Sequence, residues 1–165
     1  MKIILKPFEY ILMPIFILLA VALDQVTKYL VVENIPLHSR VPAIEGLFGL
    51  TYVQNTGAAF SSFQGMRWLF VLIFLGVTVL VIWELFHNSM GFTRLEWWFI
   101  ASIFAGGLGN VIDRVRQGFV VDMVELQFIS FPIFNVADCF ITCGSVLLIV
   151  HLLFFNKSTW KGAAQ

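Results

Sequence analysis

Charged residues are scarce in this 165-residue chain, where Asp, Glu, Lys and Arg together make up 12%. An ordinary soluble domain has about 25%. The ten basic and ten acidic residues balance, so no excess charge indicates a nucleic acid or a strongly acidic or basic partner. Because 59% of the residues are hydrophobic, a disordered chain and a soluble domain are both excluded. The composition predicts an integral membrane protein with a single domain, residues 1–165.

Cysteine and histidine are also rare. Cys139 and Cys143 lie four residues apart in an apolar run, while His38, His87 and His151 are scattered along the chain. A disulfide framework needs more cysteines, and zinc needs three or four ligands brought together. We therefore expect no disulfide scaffold, no metal site and no cofactor. The two cysteines are interpreted as small buried or lipid-facing residues, and the histidines as surface or span-end residues.

Four apolar runs of 14 to 17 residues contain no charged residue. They lie at 10–23, 68–83, 97–112 and 139–155. Each is slightly shorter than the roughly 20 residues that a helix needs to cross a bilayer core. Extended to full length, they predict membrane spans at about 10–30, 67–86, 96–113 and 135–155, with outer loops at 33–66 and 114–134.

The extension brings an acidic residue into each of the four spans, namely Asp24, Glu84, Asp113 and Asp138. Asp24 follows the first run, Asp113 follows the third and Asp138 precedes the fourth, so alternation places all three on the side of the outer loops. Ionisable residues at membrane depth are costly and usually functional. Lys28 follows Asp24 by one helical turn, which predicts an ion pair in an uncleaved first helix. The basic residues divide equally between the two sides, so charge alone does not fix the orientation.

Both outer loops contain strand-like segments. Leu47–Gln54 is rich in residues that favour strands, and the turn Asn55-Thr56-Gly57 follows it. In the second loop, Gly118 offers a turn before the apolar run 119–121, which ends at Asp122. A small sheet at the membrane surface is the expected result.

Polar and small residues form stripes on the third and fourth spans. The stripe on the third span comprises Ser102, Gly106, Gly109, Asn110 and Asp113, and that on the fourth comprises Asn135, Asp138, Thr142 and Ser145. Small residues at 106–109 predict close helix packing. Together with Gly144, they are also expected to leave room for a peptide. Asn135 is a candidate helix N-cap, whereas Asp138 is expected to lie too deep for capping.

Two acids lack a basic neighbour in the sequence. Asp113 is close to Arg114 and Arg116, but Asp122 and Asp138 have no such partner. Two buried carboxylates raise each other's proton affinity and can share one proton, so that one activates water and the other activates a carbonyl. A proton-coupled transporter also uses paired acids and is the alternative hypothesis. A non-catalytic assembly factor that docks through the glycine stripe is the third.

Five ordered motifs resemble lipoprotein signal peptidase, the bacterial signal peptidase II family. The motifs are Asp24–Lys28, Asn55–Phe60, Gly106–Arg114, Gly118–Asp122 and Phe134–Asp138. Met123 departs from the pattern, because an aromatic residue is expected there. The resemblance implies a mainly α polytopic membrane protein, with four transmembrane helices and a small extracytoplasmic β-element and loop over the active site.

The resemblance also implies roles for individual residues. Asp122 and Asp138 match the catalytic dyad of an aspartic peptidase. The matched substrate-binding or supporting residues are Asn55, Gly57, Asn110, Asp113, Arg114, Asn135, Asp24 and Lys28.

The implied reaction is removal of the signal peptide from diacylglyceryl-modified prolipoproteins, with the cut just before the lipidated cysteine. Expected partners are those prolipoproteins, membrane lipid and cyclic peptide inhibitors such as globomycin. The implied location is the bacterial inner membrane, with both termini in the cytoplasm and the active site towards the extracytoplasmic face. The loop at 33–66 is then expected to cover the substrate.

Overall fold

The structure is a computed structural model that describes residues 5–57 and 63–156. Ala58, Ala59 and Phe60 of the second motif lie outside the described residues. In chain order, the elements are α1 (Glu9–Asn34), β1 (Arg40–Ile44), β2 (Phe48–Asn55), α2 (Arg67–His87), α3 (Arg94–Arg116), β3 (Val120–Leu126) and α4 (Val136–Phe154).

All four helices are long and apolar enough to cross a membrane. Large apolar side chains face outward from them, including Leu18 on α1, Leu72 and Leu80 on α2, and Ile149 on α4. In water these exposed faces would be strongly unfavourable, whereas lipid is a good solvent for them. The predicted fold class is confirmed as a mainly helical, multi-pass membrane protein with a small antiparallel sheet.

Helix α3 is the central element and packs against α1, α2 and α4. It begins with a capping box, in which Thr93 and Glu96 each accept a hydrogen bond from the other's backbone N–H. Its closest contact is with α4, since a Cβ at Gly106 would overlap the carbonyl oxygen of Ala137. A Cβ at Gly144 would in turn lie 3.0 Å from the carbonyl oxygen of Phe99.

These contacts confirm close packing and correct one expectation. Gly106 and Gly144 leave no room for a peptide, because the backbone of the partner helix already occupies that space. Small residues in lipid act by letting two backbones approach, and here they bring α3 and α4 together.

The sheet has the order β1-β2-β3, and both pairs of strands are antiparallel. It lies at the end of the bundle where α1 and α3 finish and α4 begins, which we call the sheet end. An irregularity in register falls between Leu50 and Val53, and Val53 pairs with Asp122. An apolar cluster joins the sheet to α1 and comprises Val31, Ile35, Tyr52, Val121 and Met123. Met123, at the position where an aromatic was expected, is therefore buried beside Tyr52.

Buried carboxylates fix the opposite end of the bundle. Glu9 accepts two hydrogen bonds from the Arg94 guanidinium, at 2.8 and 2.7 Å. Glu96 is fully buried and lies 2.8 Å from Nδ1 of His151. The second contact ties the start of α3 to the end of α4.

Candidate active site

Asp122 and Asp138 reach the sheet end from two different elements. Asp122 lies on β3, which follows α3 after a turn at Gly118, where φ is +88° and glycine is favoured. Asp138 lies in the first turn of α4, whose N-cap is Asn135. The Asp138 carboxylate accepts from the Asn135 backbone N–H at 3.1 Å, and the Asn135 side chain accepts from the Asp138 N–H at 3.0 Å. Asn135 is thus an N-cap as expected, and Asp138, which was expected to lie too deep to be explained by capping, completes the capping box at position N3.

Three asparagine side chains hold the two carboxylates. Asn135 donates to Oδ1 of Asp122 at 2.7 Å, and Asn55 donates to Oδ2 of Asp122 at 2.9 Å. Asn110 donates to Oδ1 of Asp138 at 2.8 Å. Each carboxylate therefore accepts two N–H groups, because the Asn135 backbone N–H supplies the second bond to Asp138. This arrangement fixes both carboxylates in orientation while leaving them without an ion-pair partner among the described residues.

Burial sets the protonation of the carboxyl group on the sheet. The side chain of Asp122 is only 3% exposed, and this burial raises the pKa of Asp122 to about 6. The charge of Asp138 raises the pKa of Asp122 further, whereas the hydrogen bonds from Asn55 and Asn135 oppose the shift. Asp122 therefore keeps its proton to a higher pH than an ordinary aspartic acid does.

A second buried cluster lies beside the carboxylate pair. The Lys28 ammonium is 2.8 Å from Oδ2 of Asp24 and 2.9 Å from Oδ2 of Asp113. The predicted pair between Asp24 and Lys28 is present. Among the described residues, neither Arg114 nor Arg116 forms an ion pair with Asp113, so the partner of Asp113 comes from α1 rather than from its own helix.

Sequence reasoning missed Gln25 as a site residue. Its side-chain N–H₂ group donates to Oδ1 of Asp113 at 2.9 Å and to the carbonyl oxygen of Gly109 at 3.2 Å. It thereby bridges α1 and α3 next to the lysine cluster. Its position inside the first motif was the one sequence signal that could have identified it.

Arg114 holds the turn that carries Asn55. Its Nη2 donates to the carbonyl oxygen of Gly57 at 2.7 Å, and its Nη1 donates to that of Asn110 at 3.4 Å. The guanidinium also stacks on the Phe70 ring, 4.5 Å from its centroid. Because the Gly57 N–H donates to Oδ1 of Asn55, this clamp helps to aim Asn55 at Asp122.

An apolar groove leads from the two carboxylates along the bundle. It has a volume of about 1490 Å³ and runs between α2 and α4 over the surface of α3. Its wall includes Phe74, Phe104, Gly107 and Ile141, and both Asp122 and Asp138 line its polar end. Among the described residues, no three His, Cys, Asp or Glu side chains are grouped as a metal site would require. The geometry is that of two hydrogen-bonded carboxylates at one end of an apolar groove.

Comparison with known proteins shows the family to which the chain is related. The sequence profile of the family described as Signal peptidase (SPase) II matches residues 16–154. The chain belongs to the signal peptidase II family. The family match confirms the resemblance that the five motifs indicated. It also makes this protein a hydrolase of the aspartic peptidase class, as expected.

Named relatives and solved structures agree with the signal peptidase II assignment. The lipoprotein signal peptidase of Streptococcus thermophilus is 48% identical over 142 residues, which cover 84% of this chain and 90% of the relative. That of Lactococcus lactis subsp. lactis is 42% identical over 141 residues, covering 84% and 91%. A bacterial membrane enzyme solved by the in meso method at 1.9 Å has a TM-score of 0.77 and 31% identity, over 94% of this chain and 99% of its own. Neither the transporter nor the assembly-factor hypothesis gains support from these matches.

Substitution of Arg114 by Lys is expected to lower the cleavage rate of this peptidase by about tenfold or more. A lysine cannot donate to both carbonyl oxygens while stacking on Phe70, because it lacks the planar fork of the guanidinium. The matched control is Arg116→Lys, since Arg116 is exposed near the end of the same helix. Cleavage rates of the purified variants, with melting temperatures measured in parallel, test this role. Full activity in Arg114→Lys would exclude it.

Proposed function

We propose that this peptidase removes the signal peptide from prolipoproteins whose cysteine carries diacylglycerol, cutting just before that cysteine. The observation that carries the proposal is the pair Asp122 and Asp138, which lies at the head of the apolar groove and forms no ion pair within the part of the chain that the structure describes. A substrate of this kind has both an apolar signal segment and acyl chains. These parts can stay in the groove or the bilayer while the peptide bond meets the carboxylates at the wetter end.

The proposed first step is attack by water. Asp138, ionised, takes a proton from the water as its oxygen bonds to the carbonyl carbon. Asp122, protonated, gives its proton to the carbonyl oxygen, so the tetrahedral intermediate is neutral. The raised pKa of Asp122 supports this division of roles, since burial favours its uncharged form.

The proposed second step breaks the carbon–nitrogen bond. The proton held by Asp138 passes to the leaving nitrogen of the lipidated cysteine, and a hydroxyl proton of the intermediate returns to Asp122. Both carboxyl groups thus regain their starting states. In this scheme Asn55, Asn110 and Asn135 hold the carboxylates in place, while Arg114 and Gly57 shape the adjoining turn.

The orientation is part of the same proposal. The termini lie in the cytoplasm, and the sheet end faces the extracytoplasmic side of the bacterial inner membrane. Membrane lipid contacts the outer faces of the helices and the open side of the groove. A cyclic peptide such as globomycin would inhibit by occupying the space in front of Asp122 and Asp138.

A gel-shift cleavage assay tests the proposed function. Purified protein in detergent is mixed with a diacylated prolipoprotein and, separately, with its unlipidated twin. Cleavage of the lipidated form alone, at the peptide bond on the N-terminal side of the modified cysteine, is the expected result. Failure of the folded protein to cleave either form, or equal cleavage of both, would overturn the proposed substrate class.

A further inference from the structure

Lys28 is a buried cation with no part in the proposed bond-breaking steps. The residue is only 3% exposed, and its ammonium group has three N–H donors. These donors meet three acceptors, namely Oδ2 of Asp24 at 2.8 Å, Oδ2 of Asp113 at 2.9 Å and Oδ1 of Asn110 at 2.9 Å. The hydrogen-bonding capacity of the ammonium is therefore fully used by α1 and α3.

Two of the three acceptors lead to the backbone of the elements that carry the acids. Oδ1 of Asp24 accepts from the N–H of Ala137 at 2.9 Å, and Ala137 directly precedes Asp138 in α4. Asp24 thus satisfies one of the free N–H groups at the start of that helix. The carboxylate of Asp24 is held in turn by Lys28.

Asp113 connects Lys28 to the backbone of β3 in the same way that Asp24 connects it to α4. Oδ2 of Asp113, which contacts Lys28, also accepts from the N–H of Val121 at 3.3 Å. Val121 directly precedes Asp122 in β3. The ammonium is therefore connected, through one carboxylate on each side, to the backbone next to both Asp122 and Asp138.

The third acceptor of the Lys28 ammonium belongs to the side-chain amide of Asn110, and this contact determines how the amide is oriented. Oδ1 of Asn110 accepts from Lys28 at 2.9 Å and from the Asn135 side chain at 3.3 Å, which leaves its N–H₂ group to donate to Asp138 at 2.8 Å. The opposite orientation would set the N–H₂ group against the ammonium and against a second N–H₂ group. Such donor-to-donor contacts in a buried site are strongly unfavourable. Lys28 therefore selects the orientation in which Asn110 supports Asp138.

We infer that Lys28 is a positioning residue for the peptidase. It acts through Asp24, Asp113 and Asn110 and contacts neither Asp122 nor Asp138. It fixes the backbone beside both acids and turns the Asn110 amide so that Asp138 receives a hydrogen bond. This inference rests on the proposed function, because it assigns Lys28 to the same carboxylate pair. The inference says more than that Lys28 forms a structural ion pair, because it predicts that Lys28 affects the rate of the chemical step.

Substitution of Lys28 by Arg separates this role from charge alone. Arginine keeps the positive charge and the long stem, but its planar fork cannot direct three N–H groups as a tripod. We expect kcat per folded enzyme to fall by about tenfold or more, with KM within about twofold of the wild-type value. Arg94→Lys is the matched control, because it exchanges the same two residue types in an ion pair with Glu9 at the opposite end of the bundle. An unchanged kcat in Lys28→Arg would overturn the inference.

A double-mutant cycle tests whether Lys28 acts through Asn110. Asn110→Ala removes the amide that Lys28 orients, so adding Lys28→Arg to it should lower kcat less than Lys28→Arg does alone. We expect the fold decrease in kcat caused by Lys28→Arg to be at least about fivefold smaller in the Asn110→Ala protein than in the wild-type protein. Losses that simply multiply would show that the lysine does not act through the amide, and would overturn that part of the proposal.

A charge-balanced variant guards against misfolding. Asp24→Asn combined with Lys28→Met removes one charge of each sign, so the net charge of the buried cluster is unchanged. We expect this variant to melt as one folded species and to show the same loss of kcat at near-constant KM. Wild-type kcat in this folded variant would overturn the inference. If the wild-type protein does not cleave, or if Asp122→Asn does, the proposed function itself fails, which is a different result.

Discussion

Replacing Asp138 by Asn should lower the cleavage rate by at least about a thousandfold while the protein still folds. The amide cannot take a proton from water, so the proposed base is lost. The side chain is nearly isosteric and can still accept one of the two N–H groups that hold Asp138. Asp122→Asn should have an effect of similar size, because the proposed proton donor to the carbonyl is then lost.

The matched control for these variants is Glu125→Gln. Glu125 lies on β3 with Asp122 but pairs with Arg40 across the sheet. The same acid-to-amide change is made there, three residues further along the strand, and should leave the rate within about twofold, because surface ion pairs contribute little. Single-turnover cleavage of a lipidated substrate, with melting temperatures as a check on folding, is the measurement. Normal processing by either Asp122→Asn or Asp138→Asn would remove that residue from the proposed dyad.

The pH dependence of the wild-type enzyme provides a further test of the same pair. Burial raises the pKa of Asp122 to about 6, so its proton is bound below that pH and lost above it. If protonated Asp122 activates the carbonyl, kcat/KM should decline as pH rises through this value. This ratio reports the ionisation of the free enzyme. A ratio that stays constant through that range would contradict the assigned roles.

The fold class followed from the sequence because lipid imposes simple rules. Four charge-free apolar runs suffice to predict four helices, since a helix is the way an isolated segment can satisfy its backbone in a bilayer. The strand at Leu47–Gln54 was expected, and the structure has β2 at Phe48–Asn55. The edge strand β1 was not anticipated. Its sequence, Arg-Val-Pro-Ala-Ile, contains a proline, which local pattern rules treat as a reason against a strand.

The partners within the site were harder to derive than its members. Asp113 has two arginines nearby in the sequence, yet its ion-pair partner is Lys28, which is 85 positions away along the chain. Local spacing favours a neighbour on the same helix, but packing of α1 against α3 brings a different cation into reach. The N-cap at Asn135 was predicted from the sequence, but the hydrogen bond from the Asn135 backbone N–H to the Asp138 carboxylate was not, because it depends on how the Asp138 side chain is oriented.

The glycines of α3 link helix packing to catalysis, as Gly106 illustrates. In most helix interiors, replacing glycine by alanine stabilises the protein by about 0.5–1 kcal/mol. At Gly106 the added Cβ would overlap the carbonyl oxygen of Ala137 and lie 2.8 Å from Cγ1 of Ile141. The overlapped oxygen belongs to the backbone, which cannot rotate away as a side chain can. Helix α4 must therefore shift as a body, and Asp138 shifts with it.

Gly106→Ala is accordingly expected to destabilise the protein by about 1–3 kcal/mol and to reduce cleavage by about a hundredfold. The rate falls because displacement of Asp138 by even about 1 Å disturbs its alignment with Asp122. Gly76→Ala on α2 is the matched control, since an added Cβ there meets nothing within 4 Å. Its melting temperature should equal or exceed that of the wild type, with an unchanged rate. Wild-type stability and activity in Gly106→Ala would mean that contact between α3 and α4 does not set the position of Asp138.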